Sequence, residues 1–164
     1  METKPKSRRI LGIDPGTGIL GFGVIDSDIN GKLSLVDAGV IRTTPNDPDS
    51  KRLVTIYDEL SGIVKELKPT ILSVEKLFFA QNVTTAMTVS QARGVVLLLG
   101  EQAHMDLFEY TPLQIKQALT GYGRATKNQI QEMVKVILGL KELPKPDDCA
   151  DALAAAICHS MTMR

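Results

Sequence analysis

The stretch Arg9-Ile-Leu-Gly-Ile-Asp14, followed at once by Pro15-Gly16, is a short apolar run that ends on an acid and then turns. A run of this length bounded by a turn signal reads as a buried strand. Working outward, Gly21-Phe-Gly-Val-Ile-Asp26 predicts a second strand, Asn30-Gly31 a hairpin turn, and Leu33 to Ile41 a third strand. Together they predict an antiparallel meander whose first strand carries Asp14 at its C-terminal end. Leu53, Ile56, Tyr57, Leu60, Val64 and Leu67 recur at helical spacing and stop at Pro69. Thr70-Ile-Leu-Ser-Val-Glu75 is a fourth strand, and it too ends on an acid. A long helix from about Val83 to Ala103, a fifth strand Asp106–Tyr110, and helices over Pro112–Leu119 and Thr126–Leu138 follow. A proline-rich linker, Leu143–Pro146, leads into a last helix from about Asp148 to Met161. This order predicts an α/β fold, a five-stranded mixed sheet flanked by helices on both faces.

Composition narrows the function classes. The chain of 164 residues, 43% hydrophobic, suits a single domain over 1–164 with residues 1–8 as a flexible basic tail. No apolar run approaches the roughly 20 uncharged residues a bilayer span needs. The polar, basic N-terminus lacks the apolar core of an export signal. Cys149 and Cys158, nine residues apart on one helix, would stand roughly 13 Å apart along its axis, too far for a disulfide. A reduced, cytoplasmic protein without zinc or membrane association is expected. Net charge is zero, but basic residues outnumber acidic ones between Lys76 and Lys141, so nucleic acid is neither indicated nor excluded.

Four acids stand out. Asp14 and Glu75 end apolar strands, where a turn aspartate or a solvated strand end is the plain alternative. Asp148 and Asp151 are three apart and share a helix face. Asp147 or Asp148 would serve as a helix cap, but a cap leaves Asp151, set among alanines, without a reason. The small residues of Ala150-Asp-Ala-Leu-Ala-Ala-Ala156 let this helix lie tightly on a sheet, with its acids facing the acid-bearing strand ends. Carboxylates gathered so closely stay ionised only around a cation. An all-oxygen site suits Mg²⁺ or Mn²⁺, and paired ions suit phosphoryl transfer.

Gly12-Ile-Asp-Pro-Gly16, Val74-Glu-Lys-Leu-Phe78, Ser90-Gln-Ala-Arg-Gly94, Thr120-Gly-Tyr-Gly123 and Asp148-Cys-Ala-Asp-Ala-Leu153 together resemble the motifs of the RuvC family of Holliday-junction resolvases. They stand in the family's order from Ile10 to about His159. The resemblance implies a ribonuclease-H-like fold and a homodimer. It implies an endonuclease that resolves four-way DNA junctions in recombination and repair by paired symmetric nicks, leaving 5′-phosphate and 3′-hydroxyl ends. It implies Mg²⁺, two ions per site with Mn²⁺ as a substitute, held by Asp14, Glu75, Asp148 and Asp151. Asp147, just before the helical pair, leaves the ligand at that position open between two neighbours. Cooperation with the RuvA–RuvB branch-migration complex is implied as well.

The same resemblance assigns DNA contacts. Phe78 matches the family's base-stacking aromatic, and stacking of this kind contributes roughly 1–3 kcal/mol per base. Phe79 beside it is read equally well as core. Lys116 and Lys127 match lysines near the scissile phosphate, and Arg124 is a weaker candidate of the same kind. The Val83–Ala103 helix carries apolar residues on more than one face, which suits either a dimer interface or burial in its own domain. Two rival readings follow from the same residues. Gly-Ile-Asp-x-Gly also opens the phosphate-binding strand of actin-like ATPases and sugar kinases, which need duplicated domains. A ribonuclease-H-like nuclease acting on RNA shares the acids but not Phe78 and the two lysines.

Overall fold

In the computed structural model, which describes residues 7–76 and 83–163, five strands form one sheet among the described residues. They are β1 (Ser7–Asp14), β2 (Ile19–Asp28), β3 (Leu33–Arg42), β4 (Ile71–Glu75) and β5 (Asp106–Tyr110), in the order β3-β2-β1-β4-β5. The meander β1–β2–β3 is antiparallel, whereas β4 and β5 run parallel to β1. The helices are α1 (Asp49–Leu67), α2 (Val83–Gln102), α3 (Pro112–Thr120), α4 (Lys127–Leu138) and α5 (Asp147–Thr162).

Successive side chains on a strand face opposite ways, and β1, β2 and β4 obey that period, whereas β3 shifts register against β2 at Val36. Ile10 and Ile25 pack with α3, α4 and α5, while Leu11, Ile13, Leu20, Phe22 and Val24 pack with α1 and α2. On β4, Ile71 belongs to the first group and Leu72 and Val74 to the second. Parity then places Gly12, Asp14, Gly21, Gly23, Ser73 and Glu75 on the α5 side. The expected helices on both faces are present.

Small residues set how α5 sits. A Cβ on Gly12 would meet the Ala152 carbonyl oxygen at 2.0 Å, and one on Gly21 would meet that of Asp148 at 2.0 Å. The helix backbone therefore rests directly on β1 and β2, without side chains between. Ser73 Oγ donates to the Ala155 carbonyl at 2.7 Å and fixes the helix on β4. Leu153 and Ile157 are fully buried. Burial of that kind contributes roughly 1.5–3 kcal/mol each, so α5 is held by its apolar face rather than by its acids.

Two expectations are corrected. Ser7 and Arg8, read as part of a basic tail, are strand: they pair with Asp28 and Ser27, extending the ladder beyond the apolar run. The last helix begins at Asp147, one residue early, with Pro146 as its N-cap and no side-chain cap. Neither Asp147 nor Asp148 is a cap, although both lie in the first turn, where the helix dipole favours negative charge. The 20-residue α2 is long and apolar enough, by length and composition alone, to cross a membrane, but Arg93 and Glu101 interrupt it, so the expectation that no uncharged run of that length occurs holds. One face of α2 buries Ala86, Ala92, Val96, Leu99 and Gly100, and Arg93 pairs with Glu109 of β5, while Val83, Met87 and Leu98 stay exposed.

Candidate active site

Sheet register brings the acids together. Asp14 is opposite Gly21 on β2, and Gly21 is the residue on which the Asp148 backbone rests. On the other side, Ile13 is level with Val74, which sets Glu75 beside the end of β1. Glu75 is in turn level with Tyr110, whose carbonyl accepts from Lys76 N at 2.7 Å and closes the strand end. The acids of the two strand ends thus face the first turn and a half of α5.

A cleft of about 250 Å³ opens there, lined by Glu75, Pro112, Ile115, Lys116, Lys127, Ile130, Asp151 and Ala154. The N-terminal ends of α3 and α4 form its rim. Each starts with a reciprocal capping box, Thr111/Gln114 on α3 and Thr126/Gln129 on α4. The second box fixes Lys127 as the first residue of α4. Its ammonium lies 3.5 Å from Asp151 Oδ2 and 3.7 Å from Asp147 Oδ2.

Electrostatics show that the acids sense one another. Asp14 is pushed up to about 8, first by burial and then by the charges of Asp151, Glu75 and Asp148. Glu75 is raised by burial and by Asp151, against the pull of Lys116 and Lys127. Asp151 is raised by burial, with Lys127 opposing through charge and hydrogen bond. Among the described residues, no group of three or more His, Cys, Asp or Glu side chains is close-set enough to hold a metal ion as it stands. The donor set is oxygen only, mutually repelling and open to water. That chemistry fits a hard divalent cation.

Of the residues singled out in the sequence, Asp14, Glu75, Asp148, Asp151, Lys116 and Lys127 come together. Arg124 does not line the cleft; it is exposed in the turn between α3 and α4. Phe78 and Phe79 lie outside the described residues. His159 is remote, buried at the far end of α5 with its Nδ1 2.8 Å from the Tyr110 hydroxyl. Cys149 and Cys158 are free thiols. Sequence reasoning missed the supports: Gly12, Gly21 and Ser73, and the brace on the loop after Asp14. In that brace Thr43 Oγ1 donates to the Thr17 carbonyl at 2.6 Å and accepts from Arg52 Nε at 2.8 Å. The strand period, applied to glycines as well as to large residues, was the available signal.

The profile of a family described as "Crossover junction endodeoxyribonuclease RuvC" matches residues 10–159, which include all the acids and lysines of the cleft. The chain belongs to the RuvC family. The RuvC of Desulfitobacterium hafniense is 55% identical over 151 residues, covering 92% of this chain and 91% of that protein. The solved RuvC of Thermus thermophilus is 37% identical and superposes with a TM-score of 0.86, covering 93% of both chains. The same protein in complex with a Holliday junction substrate superposes with a TM-score of 0.91, covering 96% of this chain and 95% of that one. The architecture is therefore the ribonuclease-H-like fold of RuvC, a family of metal-dependent nucleases.

Proposed function

We propose that this RuvC chain is a crossover junction endodeoxyribonuclease that resolves four-way DNA junctions by paired nicks in two strands. The observation that carries the reading is that Glu75, Asp151, Lys116 and Lys127 line one open cleft, with Asp14 and Asp148 beside it, near enough for the charges of Asp151, Glu75 and Asp148 to act on Asp14. Similarity to a RuvC solved with a Holliday junction substrate supports the choice of substrate.

In this reading Asp14, Glu75, Asp148 and Asp151 hold Mg²⁺, two ions per site, with Mn²⁺ able to substitute. Asp148 is preferred over Asp147 because its charge bears on Asp14, whereas Asp147 faces α4. When bound, the ions polarise the phosphodiester and activate water. The protein's own part is positional. Asp14, the most deeply placed acid, gives up its proton when the site is loaded. Lys116 and Lys127 orient the scissile phosphate and offset the charge that builds on it. Cleavage leaves 5′-phosphate and 3′-hydroxyl ends. Phe78 stacks on a base at the opened junction centre, and Arg124 meets the backbone farther out.

A homodimer would present two such clefts to a two-fold junction. Support comes from α2, where Val83, Met87 and Leu98 are exposed and Gly94 has open space around it, so a second helix has room to approach. Work alongside RuvA and RuvB in the cytoplasm, within a single-domain protein, completes the reading.

The test is incubation with a labelled four-way junction, a matched duplex and an RNA hairpin, with and without Mg²⁺. Symmetric nicks in the junction alone, and only with the ion, are expected. Cutting of the RNA hairpin in preference to the junction would replace this reading with an RNA-processing one.

A further inference from the structure

Asp147 is the acid that motif and spacing leave without a task. It lies outside the lining of the cleft, yet both of its carboxylate oxygens are engaged. Gln131 Nε2 donates to Oδ1 at 2.9 Å, and Lys127 Nζ stands 3.7 Å from Oδ2. The two partners are four apart on α4 and hence neighbours on one face. A glutamine thus holds Asp147 against α4 at the spot where the lysine emerges. The same ammonium lies 3.5 Å from Asp151 Oδ2, so one cation stands between an acid of the cleft and an acid outside it.

This arrangement sets up a competition. The Asp151 oxygen that faces Lys127 is also the kind of donor a divalent ion requires, and two positive centres at one carboxylate repel. Once the ion takes Asp151, Lys127 must find another partner or swing into solvent on its flexible four-carbon stem. Asp147, already hydrogen-bonded to Gln131, is the partner within reach.

We propose that Asp147 is a positioning residue that keeps Lys127 at the rim of the cleft when Asp151 is given over to metal. The inference rests on the reading of Asp151 as a metal ligand. Lys127 is then a built-in competitor for the ion, and Asp147 weakens that competition by offering the ammonium a second place to stay. Asp147 also keeps the ammonium where a phosphate would meet it.

Titration of Mn²⁺ followed by electron paramagnetic resonance, on the full chain without DNA, tests this through a double-mutant cycle. Lys127→Met should tighten Mn²⁺ binding. Asp147→Asn should weaken it roughly two- to fivefold, the range open to an exposed ion pair. In the Lys127→Met background, Asp147→Asn should change little, because the residue acts through the lysine. Gln131→Met should weaken binding in the same direction as Asp147→Asn, to a smaller extent. Both side chains of the pair are more than half exposed, so these substitutions leave the core untouched. Equal weakening by Asp147→Asn in both backgrounds would mean that Asp147 acts on the ion directly and would overturn the proposal. No weakening in either would overturn it too. Asp151→Asn separates the two levels: if it binds Mn²⁺ as well as the native chain, the site reading falls and the proposal with it. If it loses the ion while the cycle shows no coupling, the proposal alone falls.

Discussion

At its C-terminal end α5 buries His159 and Ser160, and both are answered: His159 by the Tyr110 hydroxyl at 2.8 Å, Ser160 by the Ser27 hydroxyl at 3.2 Å. At its N-terminal end the same helix carries Asp148 and Asp151 up to Asp14 and Glu75, beside a cleft that Glu75 and Asp151 line. There the neighbours are mostly of like charge, and Lys127 is the cation paired with Asp151. A buried polar group with its partner inside the chain is structural. One whose charge the chain leaves largely unanswered is set for a ligand from outside.

The two ends also respond to pH in opposite senses. Burial lowers His159 to about 4, so the unfolded chain takes up its proton first and stability is lost as pH falls from about 6.5 to about 4. Asp14 is held near 8 against an ordinary 3.8, so between those values the folded chain keeps a proton that the unfolded chain releases. Without metal, stability therefore falls as pH rises from about 4 to about 8. A bound divalent ion removes that loss by replacing the proton.

Breaking the open end should have the largest consequence. Asp14→Asn should lower junction cleavage by about 10³-fold or more, with junction binding largely kept. It should also raise the melting temperature of the metal-free protein above pH 7, because the folded chain no longer has to hold a buried carboxyl that the unfolded chain ionises freely. Normal cutting by the folded variant would remove Asp14 from the chemistry. Disturbing the seat shared by both ends comes next. Gly21→Val places side-chain atoms against the Asp148 backbone, so α5 must lift where the acids are. A loss of about 1–3 kcal/mol in denaturant unfolding is expected, together with a cleavage defect beyond that of a core variant of equal stability. The smallest effect on cutting belongs to the closed end. His159→Phe leaves the Tyr110 hydroxyl without its partner, costing about 1–3 kcal/mol. It should also flatten the loss of stability between pH 6.5 and 4 while cleavage per folded molecule stays unchanged. A large cleavage defect would tie the far end of the helix to catalysis.

Much of this was legible in the chain, because strand and helix periods are local. The five strands, the helices on both sheet faces and the two strand-end acids follow from apolar alternation and turn residues alone. The helical acids were legible as a pair, yet Asp147 and Asp148 could not be separated by spacing. What separates them is which one lies over Gly21 and which one faces Gln131, and both depend on contacts between distant elements. Gly12 and Gly21 read as ordinary strand residues for the same reason: a glycine's use as a seat appears only when the helix that occupies it is known. The first two residues of β1 escaped notice because Ser7 and Arg8 carry no apolar signal, although their backbone pairs with β2. Lys127 was found through resemblance, not pattern, since a lone lysine on a helix has nothing to mark it.

The central claim, that the acids around Asp14 form one cation site, is tested most directly by calorimetric titration of Mg²⁺ into the metal-free protein at pH 7. The titration is repeated in buffers of different ionisation enthalpy. Because Asp14 holds its proton near neutrality, binding should release protons into the buffer, and Asp14→Asn should abolish that release along with most of the affinity. Tight binding with no proton release, unchanged in Asp14→Asn, would contradict the account.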